Sequence, residues 1–186
     1  PDPSTVDTSI LPSRHLADIF LDRYWGCAHI VFPFLDRRQF MERYETFWDE
    51  PTALPGEVDT FRALVNIVLA IGAYHVWRSG PMGEGVPRVG GVDEGPKVHE
   101  ELYARAQLCA GDLEEVRGLM HIQYVLLCAL YLTGMDRPNR AWNTIGLAVR
   151  LAYGIGLNLK NEAMKGVTEV QKETRNRTWW SIYCLE

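Results

Sequence analysis

The chain is short of the features that announce chemistry. Its four cysteines, Cys27, Cys109, Cys128 and Cys184, lie far apart. None belongs to a Cys-x-x-Cys pair and no histidines stand at ligand spacing, so no zinc site is expected. Each cysteine falls in an apolar helical pattern, which reads as buried thiols in a reducing compartment. Charge of one sign is lacking too: 19 Lys and Arg face 24 Asp and Glu, a net charge of −5. No run of like charge exceeds three residues, which argues against a phosphate-binding surface. The longest apolar run, near Leu64 to Val76, looks too short to span a membrane, and no signal peptide is visible. An intracellular chain is the default expectation, and a start at Pro1 with an end at Glu186 reads as an excised piece of something longer.

Catalytic motifs are equally scarce. There is no Gly-x-Ser-x-Gly elbow, no His-Glu-x-x-His and no P-loop. Gly83-x-Gly85 lacks the preceding strand and the third glycine that would let backbone amides cradle a pyrophosphate. His99-Glu100-Glu101 has no second histidine on its face and reads as a solvated helix start. His29, His75 and His121 sit on apolar helices as core or boundary residues. Asn176-Arg177-Thr178 matches a glycosylation sequon inside a helical pattern, which makes the match incidental. An enzyme is not expected.

What is present is helical periodicity, in a chain 47% apolar and 11% aromatic, enough for a proper core. Residues 1–12 are polar and proline-marked, a linker; residues 13–186 form the domain. Ser13 can cap a helix carrying Leu16, Ile19, Phe20, Tyr24, Cys27 and Val31 until Pro33 ends it. Asp36-x-x-Gln39 has capping-box spacing and opens a second helix with Phe40, Tyr44 and Phe47, stopped by Pro51. Asp59 to Trp77 is apolar on more than one face and reads as central. From Ser79 to Pro96 half of the residues are Gly or Pro, a long flexible loop. Helices resume at Lys97 to Cys109 and at Glu114 to Thr133, the latter closing at Gly134. Pro138 suits the first turn of the next helix. A polar loop from Asn158 to Thr168 leads to a final helix from Glu169 to Glu186. No strand-like alternation is long enough to matter. The expected class is all-α, an array of mostly antiparallel helices around a central apolar pair.

The stretch Ala141 to Leu157 reads as the organising helix. Ala141, Ile145, Ala148 and Ala152 repeat on helical spacing, and Trp142, Val149 and Tyr153 repeat one residue along. Two apolar faces place it at the centre of the domain. It holds one charge, Arg150, and a buried guanidinium requires a partner. Glu173 is the first candidate, with Asp136 and Glu169 behind it. An ion pair locking two helices is one reading; an anchor for an acidic effector is the other. Gly146 and Gly154 each cost roughly 1 kcal/mol in a helix, which suggests close approach of another helix bearing a ring such as Trp142 or Trp179. Trp179 and Trp180 are adjacent and point to different faces, one toward the core and one free for an interface.

Ala141-Trp142, Gly146, Ala148, Arg150, Ala152 and Gly156-Leu157, followed by Glu173-x-Arg175-x-Arg177-x-Trp179-Trp180, carry a family resemblance. So do the Phe32-Pro33-Phe34-Leu35 corner followed by Phe40, Tyr103 to Ala106, and Ile122-Gln123. From about Leu16 to Glu186 the chain resembles the fungal-specific transcription factor domain, the middle homology region of fungal binuclear zinc-cluster regulators. Asn176, between the two arginines, and Glu186 depart from the usual pattern. The resemblance implies a regulatory, non-catalytic helical domain of a nuclear transcription factor. It implies a small-molecule effector or a coregulator protein as partner, leaves a homodimer open, and names no ligand-binding residue. DNA contact would come from a separate six-cysteine zinc module, so no cofactor, no direct DNA contact and no membrane are expected of this stretch. A helical-repeat interaction scaffold is the alternative, although no fixed period repeats.

Overall fold

The computed structural model describes residues 12–49, 57–79, 95–111, 118–159 and 166–186. Eight helical segments and no strand occur among them. Most of the loop expected at 79–96, the linker and part of the 158–168 loop lie outside the described residues, as does the Pro51 stop.

Helix α1 spans Arg14–Gly26, and Ser13 Oγ accepts from the Leu16 N–H at 3.4 Å, the cap its position suggests. The single helix expected to run on to Pro33 breaks at Cys27, whose N–H turns back to Tyr24, and a one-turn α2 follows at Ala28–Val31. Gly26 is the weak point, because a glycine holds helical backbone poorly. Helix α3, Arg37–Asp49, is opened by Asp36, whose Oδ1 accepts from the Gln39 N–H at 3.1 Å. Then come α4 (Glu57–Arg78), α5 (Gly95–Ala110), α6 (Leu119–Gly134), α7 (Pro138–Gly154) and α8 (Glu169–Leu185). Pro138 occupies the first turn of α7, and Thr168 closes a reciprocal capping box with Gln171 at the start of α8.

The central pair is α4 and α6. Every residue from Ala63 to Tyr74, and every residue from His121 to Ala129, is buried. Thr60–Arg78 is long and apolar enough to cross a membrane, contrary to the shorter run read from sequence. Yet 78% of its most apolar window is buried inside the fold, as befits a core helix. The organising role given above to Ala141–Leu157 is corrected: α7 lies at the edge. Ala141, Ile145, Ala148, Leu151 and Ala152 face the core, while Trp142, Arg150 and Tyr153 are exposed. Periodicity showed two apolar stripes, and only one of them is fully covered by its neighbours.

Consecutive helices α4/α5, α6/α7 and α7/α8 run antiparallel, whereas α1, α4 and α6 share a direction. Phe20 meets Gly72 and Arg23 meets Ser79 between α1 and α4. Tyr74 meets Gly134 between the ends of α4 and α6. The α1–α4 approach is so close that a Cβ on Gly72 would lie 1.9 Å from the Phe20 carbonyl oxygen. Gln123, buried on α6, donates from Nε2 to the Phe34 carbonyl at 2.9 Å and to Thr178 Oγ1 at 3.4 Å. One amide thereby joins α6, the Phe32–Leu35 corner and α8. The cysteines are free and not uniformly buried: Cys128 is buried, Cys27 and Cys109 are half-buried, and Cys184 is exposed.

Candidate functional site

The residues singled out by sequence pattern gather at the joint between α7 and α8. Gly156 ends α7 in the left-handed region at φ +61°, where a glycine is at ease, and the Leu157 N–H returns to the Ala152 carbonyl at 2.8 Å. Arg175 reaches across from α8 toward the freed carbonyls of Ile155 and Gly156, at 3.4 and 3.5 Å. A cation at a helix C-terminus complements its partial negative charge. Tyr153 and Trp179 pack edge to face with centroids 5.5 Å apart, while Trp180 turns outward and touches Tyr183. These contacts make the joint a structural clasp.

Two expectations fail there. Arg150 is exposed and forms no ion pair with Glu173; Glu173 instead accepts from Arg177, one turn along α8, at 2.7 Å. An exposed guanidinium keeps its water, so the requirement for a buried partner disappears. Gly146 is not the site of a close helix approach, since a Cβ there would meet only the tip of Arg150 at 3.7 Å. Arg150, Trp142, Gly146 and Glu186 line an outer pocket of about 270 Å3. The contact that demands a glycine is at Gly72.

A different constellation lies at the shared end of α1, α4 and α6. Arg23 and Cys27 from the end of α1, Tyr74, His75, Arg78 and Ser79 from the end of α4, and Leu130, Tyr131 and Gly134 from the end of α6 line a cleft of about 520 Å3. Its polar groups are organised by hydrogen bonds. Tyr74 Oη donates to the Gly134 carbonyl and accepts from Arg78 Nη1 at 2.7 Å. Ser79 Oγ donates to the His75 carbonyl at 2.8 Å and accepts from Arg23 Nη2. Both guanidiniums therefore rest on neutral hydroxyls. No carboxylate lines the cleft among the described residues, and Arg23 Nε is buried with no acceptor among them. Burial first, then the charges of Arg23 and Arg78, hold the His75 imidazole below its ordinary pKa.

Behind this cleft stands an aromatic wall containing a second correction. His99, expected at a solvated helix start, is fully buried. Its ring packs against Tyr74, Trp77 and Tyr131, and Nδ1 lies 2.8 Å from Tyr131 Oη. Nε2 has no hydrogen-bond partner among the described residues, and burial lowers the His99 pKa. Tyr103 stacks on the other side of Tyr131.

Another groove, about 640 Å3 between α3, α6 and the start of α8, is less free chemically. Asp36 caps α3, Glu42 faces Arg38 at 3.9 Å, and Arg175 is turned to the end of α7. No group of three His, Cys, Asp or Glu that could hold a metal occurs among the described residues.

Sequence reasoning missed Arg23, His75 and Arg78 as a group. The available signal was three basic residues at the ends of two apolar helices, but their meeting depends on α1 and α4 running in the same direction.

Comparison with known proteins gives one consistent result. A family model described as the fungal specific transcription factor domain matches residues 21–186. The transcription factor FBD3 of Fusarium pseudograminearum is 28% identical over 188 residues, covering 98% of this chain and 22% of that protein. The transcription regulator galc of Aspergillus niger is 29% identical over 183 residues, covering 98% and 21%. The lactose regulatory protein LAC9 of Kluyveromyces lactis is 27% identical over 184 residues, covering 97% and 18%. The chain thus spans about a fifth of the length of these relatives. No solved structure matches it.

Proposed function

The chain belongs to the fungal specific transcription factor domain family, and from that premise we propose that it is the regulatory, non-catalytic part of a nuclear regulator that responds to a small-molecule effector in the α1–α4–α6 cleft. DNA contact would belong to a separate zinc module, with no metal or cofactor held here. The carrying observation is the position of the cleft. Its walls are the ends of the core helices, and its lining residues Ile71 and Arg23 stand one and three positions along the chain from Gly72 and Phe20, where α4 and α1 touch. A ligand that draws Arg23 and Arg78 together acts on α1 and α4 at once. Their packing has no slack to absorb the movement locally.

A thermal-shift screen of the 186-residue chain against small metabolites tests this reading. At least one compound should raise the melting temperature, and the rise should disappear in Arg78→Gln, an exposed position whose loss leaves the core intact. If no metabolite raises it, the effector reading falls.

A second reading, regulation through a coregulator protein, is favoured by the outer face of α7 and α8. Trp142, Tyr153, Trp180 and Tyr183 are all more than half exposed, and aromatic rings are the usual anchors of protein interfaces. Trp142→Ala with Trp180→Ala should then abolish capture of that partner without lowering the melting temperature.

A further inference from the structure

The polar groups of the cleft specify its ligand more narrowly than the family does, and the following step rests on the effector reading above. Two arginines and a histidine line the cleft, Arg23 from α1 and His75 and Arg78 from α4, and each arginine is held by a hydroxyl, Arg23 by Ser79 and Arg78 by Tyr74. Hydroxyls fix the direction of a guanidinium but leave its charge uncompensated. The obvious internal use for these cations would be to complement the C-terminal ends of α1, α4 and α6. At the end of α6 those carbonyls are already served by other donors: Tyr74 Oη takes Gly134, the Arg137 N–H takes Leu132, and the Met135 and Asp136 N–H groups take Tyr131 and Thr133. At α4 the Ser79 N–H and Oγ take His75, and at α1 the Cys27 N–H takes Tyr24. Neither arginine is bonded to a helix-end carbonyl, and no carboxylate among the described residues lines the cleft to balance them.

We propose that the cleft lined by Arg23, His75, Arg78 and Ser79 is a binding site for a small oxyanion, a carboxylate or phosphate group of the effector. A guanidinium presents its N–H groups as a planar fork that fits two oxygens of such a group. Arg23 and Arg78 approach from different helices, so one anion would be gripped from both sides. Ser79 and Tyr74 hold the forks in place beforehand, which reduces the ordering cost of binding. The aromatic side of the cleft, Tyr74 and Tyr131, would meet the apolar body of the ligand.

His75 supplies an internal reporter. Arg23 and Cys27 of α1, Tyr74 and Arg78 of α4 and Tyr131 of α6 surround the cleft it lines. The two guanidiniums help to hold its pKa down, and an anion that screens them should let it rise. Protonation and anion binding then favour one another, so affinity should increase as pH falls toward the ordinary histidine range, about 6.5.

The test titrates the chain with succinate and, separately, with inorganic phosphate at fixed ionic strength, following the His75 side-chain NMR resonances and the heat of binding. The expected result is saturable binding of one of the two, with a raised His75 pKa. Whichever binds tells a carboxylate from a phosphate ligand. Affinity should fall about tenfold or more in Arg78→Gln, and equally in Arg23→Gln if that variant retains the wild-type melting temperature. Arg150→Gln, which removes an arginine that does not line the cleft, should bind as the wild type does. If Arg78→Gln binds as tightly as wild type, or neither anion moves His75, the proposal is overturned. In the latter case, a neutral compound from the metabolite screen that moves His75 would leave the effector site standing without an anion class. Silence from every compound removes both.

Discussion

At the α1–α4 seam a missing Cβ lets two backbones touch: any side chain at Gly72 would collide with the Phe20 carbonyl. At the α7–α8 joint Gly146 faces only the tip of a solvated arginine, and the two helices are held by an arginine on a helix end and by one pair of rings. The first region is fixed by backbone geometry and cannot yield. The second is fastened by long side chains that can, and its outer surface is rich in exposed aromatic residues. Glycine in a helix therefore has opposite meanings in two parts of one domain, and the neighbour decides which.

The sharpest way to break this contrast is Gly72→Ala. It should lower stability by about 3 kcal/mol or more in urea unfolding, because the obstruction is backbone and cannot rotate away. A loss below that of an ordinary surface change would mean that the seam is slack. Gln123→Ala follows, with an expected loss of about 1–3 kcal/mol, because the Phe34 carbonyl is left buried without its donor. That variant measures how firmly the core grips the α8 side.

Acidification should act mainly away from the α7–α8 joint. His29, His75 and His99 all have lowered pKa values, burial being the main cause in each. The unfolded chain then binds more protons than the folded one below about pH 6.5, so stability is full above that value and declines as pH falls through the folded values. Urea midpoints at pH 7.5 and 5.5 (about one unit either side of that value) measure the decline, and His99→Phe should flatten it. Gly146→Ala should do the reverse of Gly72→Ala, raising stability by up to about 1 kcal/mol through helix propensity alone. Smallest of all, Arg150→Gln should leave unfolding unchanged within about 0.5 kcal/mol, as expected of an exposed residue without an ion pair. A loss of several kcal/mol would restore the buried-pair idea.

The helix ends were the most legible part of the fold. Ser13, Asp36 and Pro138 act within their own turn, so the local chain suffices to read them. The family was legible because the order and spacing of Trp142, Gly156, Arg175, Trp179 and Trp180 carried the resemblance, and the family model that matches the chain spans all of them. The basic cleft was not, because Arg23 and Arg78 are distant in sequence and meet only once α1 and α4 are aligned side by side. His99 was misread for the same reason: the helix that buries it against Tyr131 lies elsewhere in the chain.

The sequence by itself determined an all-α domain, the caps at Ser13 and Asp36, most helix limits, and kinship with fungal regulators, all properties carried by short-range pattern. Only the tertiary structure decided which helices are central, which glycine is essential, whether Arg150 is buried and where the cations converge. Periodicity records which residues share a face. What covers that face depends on the packing directions of helices far apart along the chain.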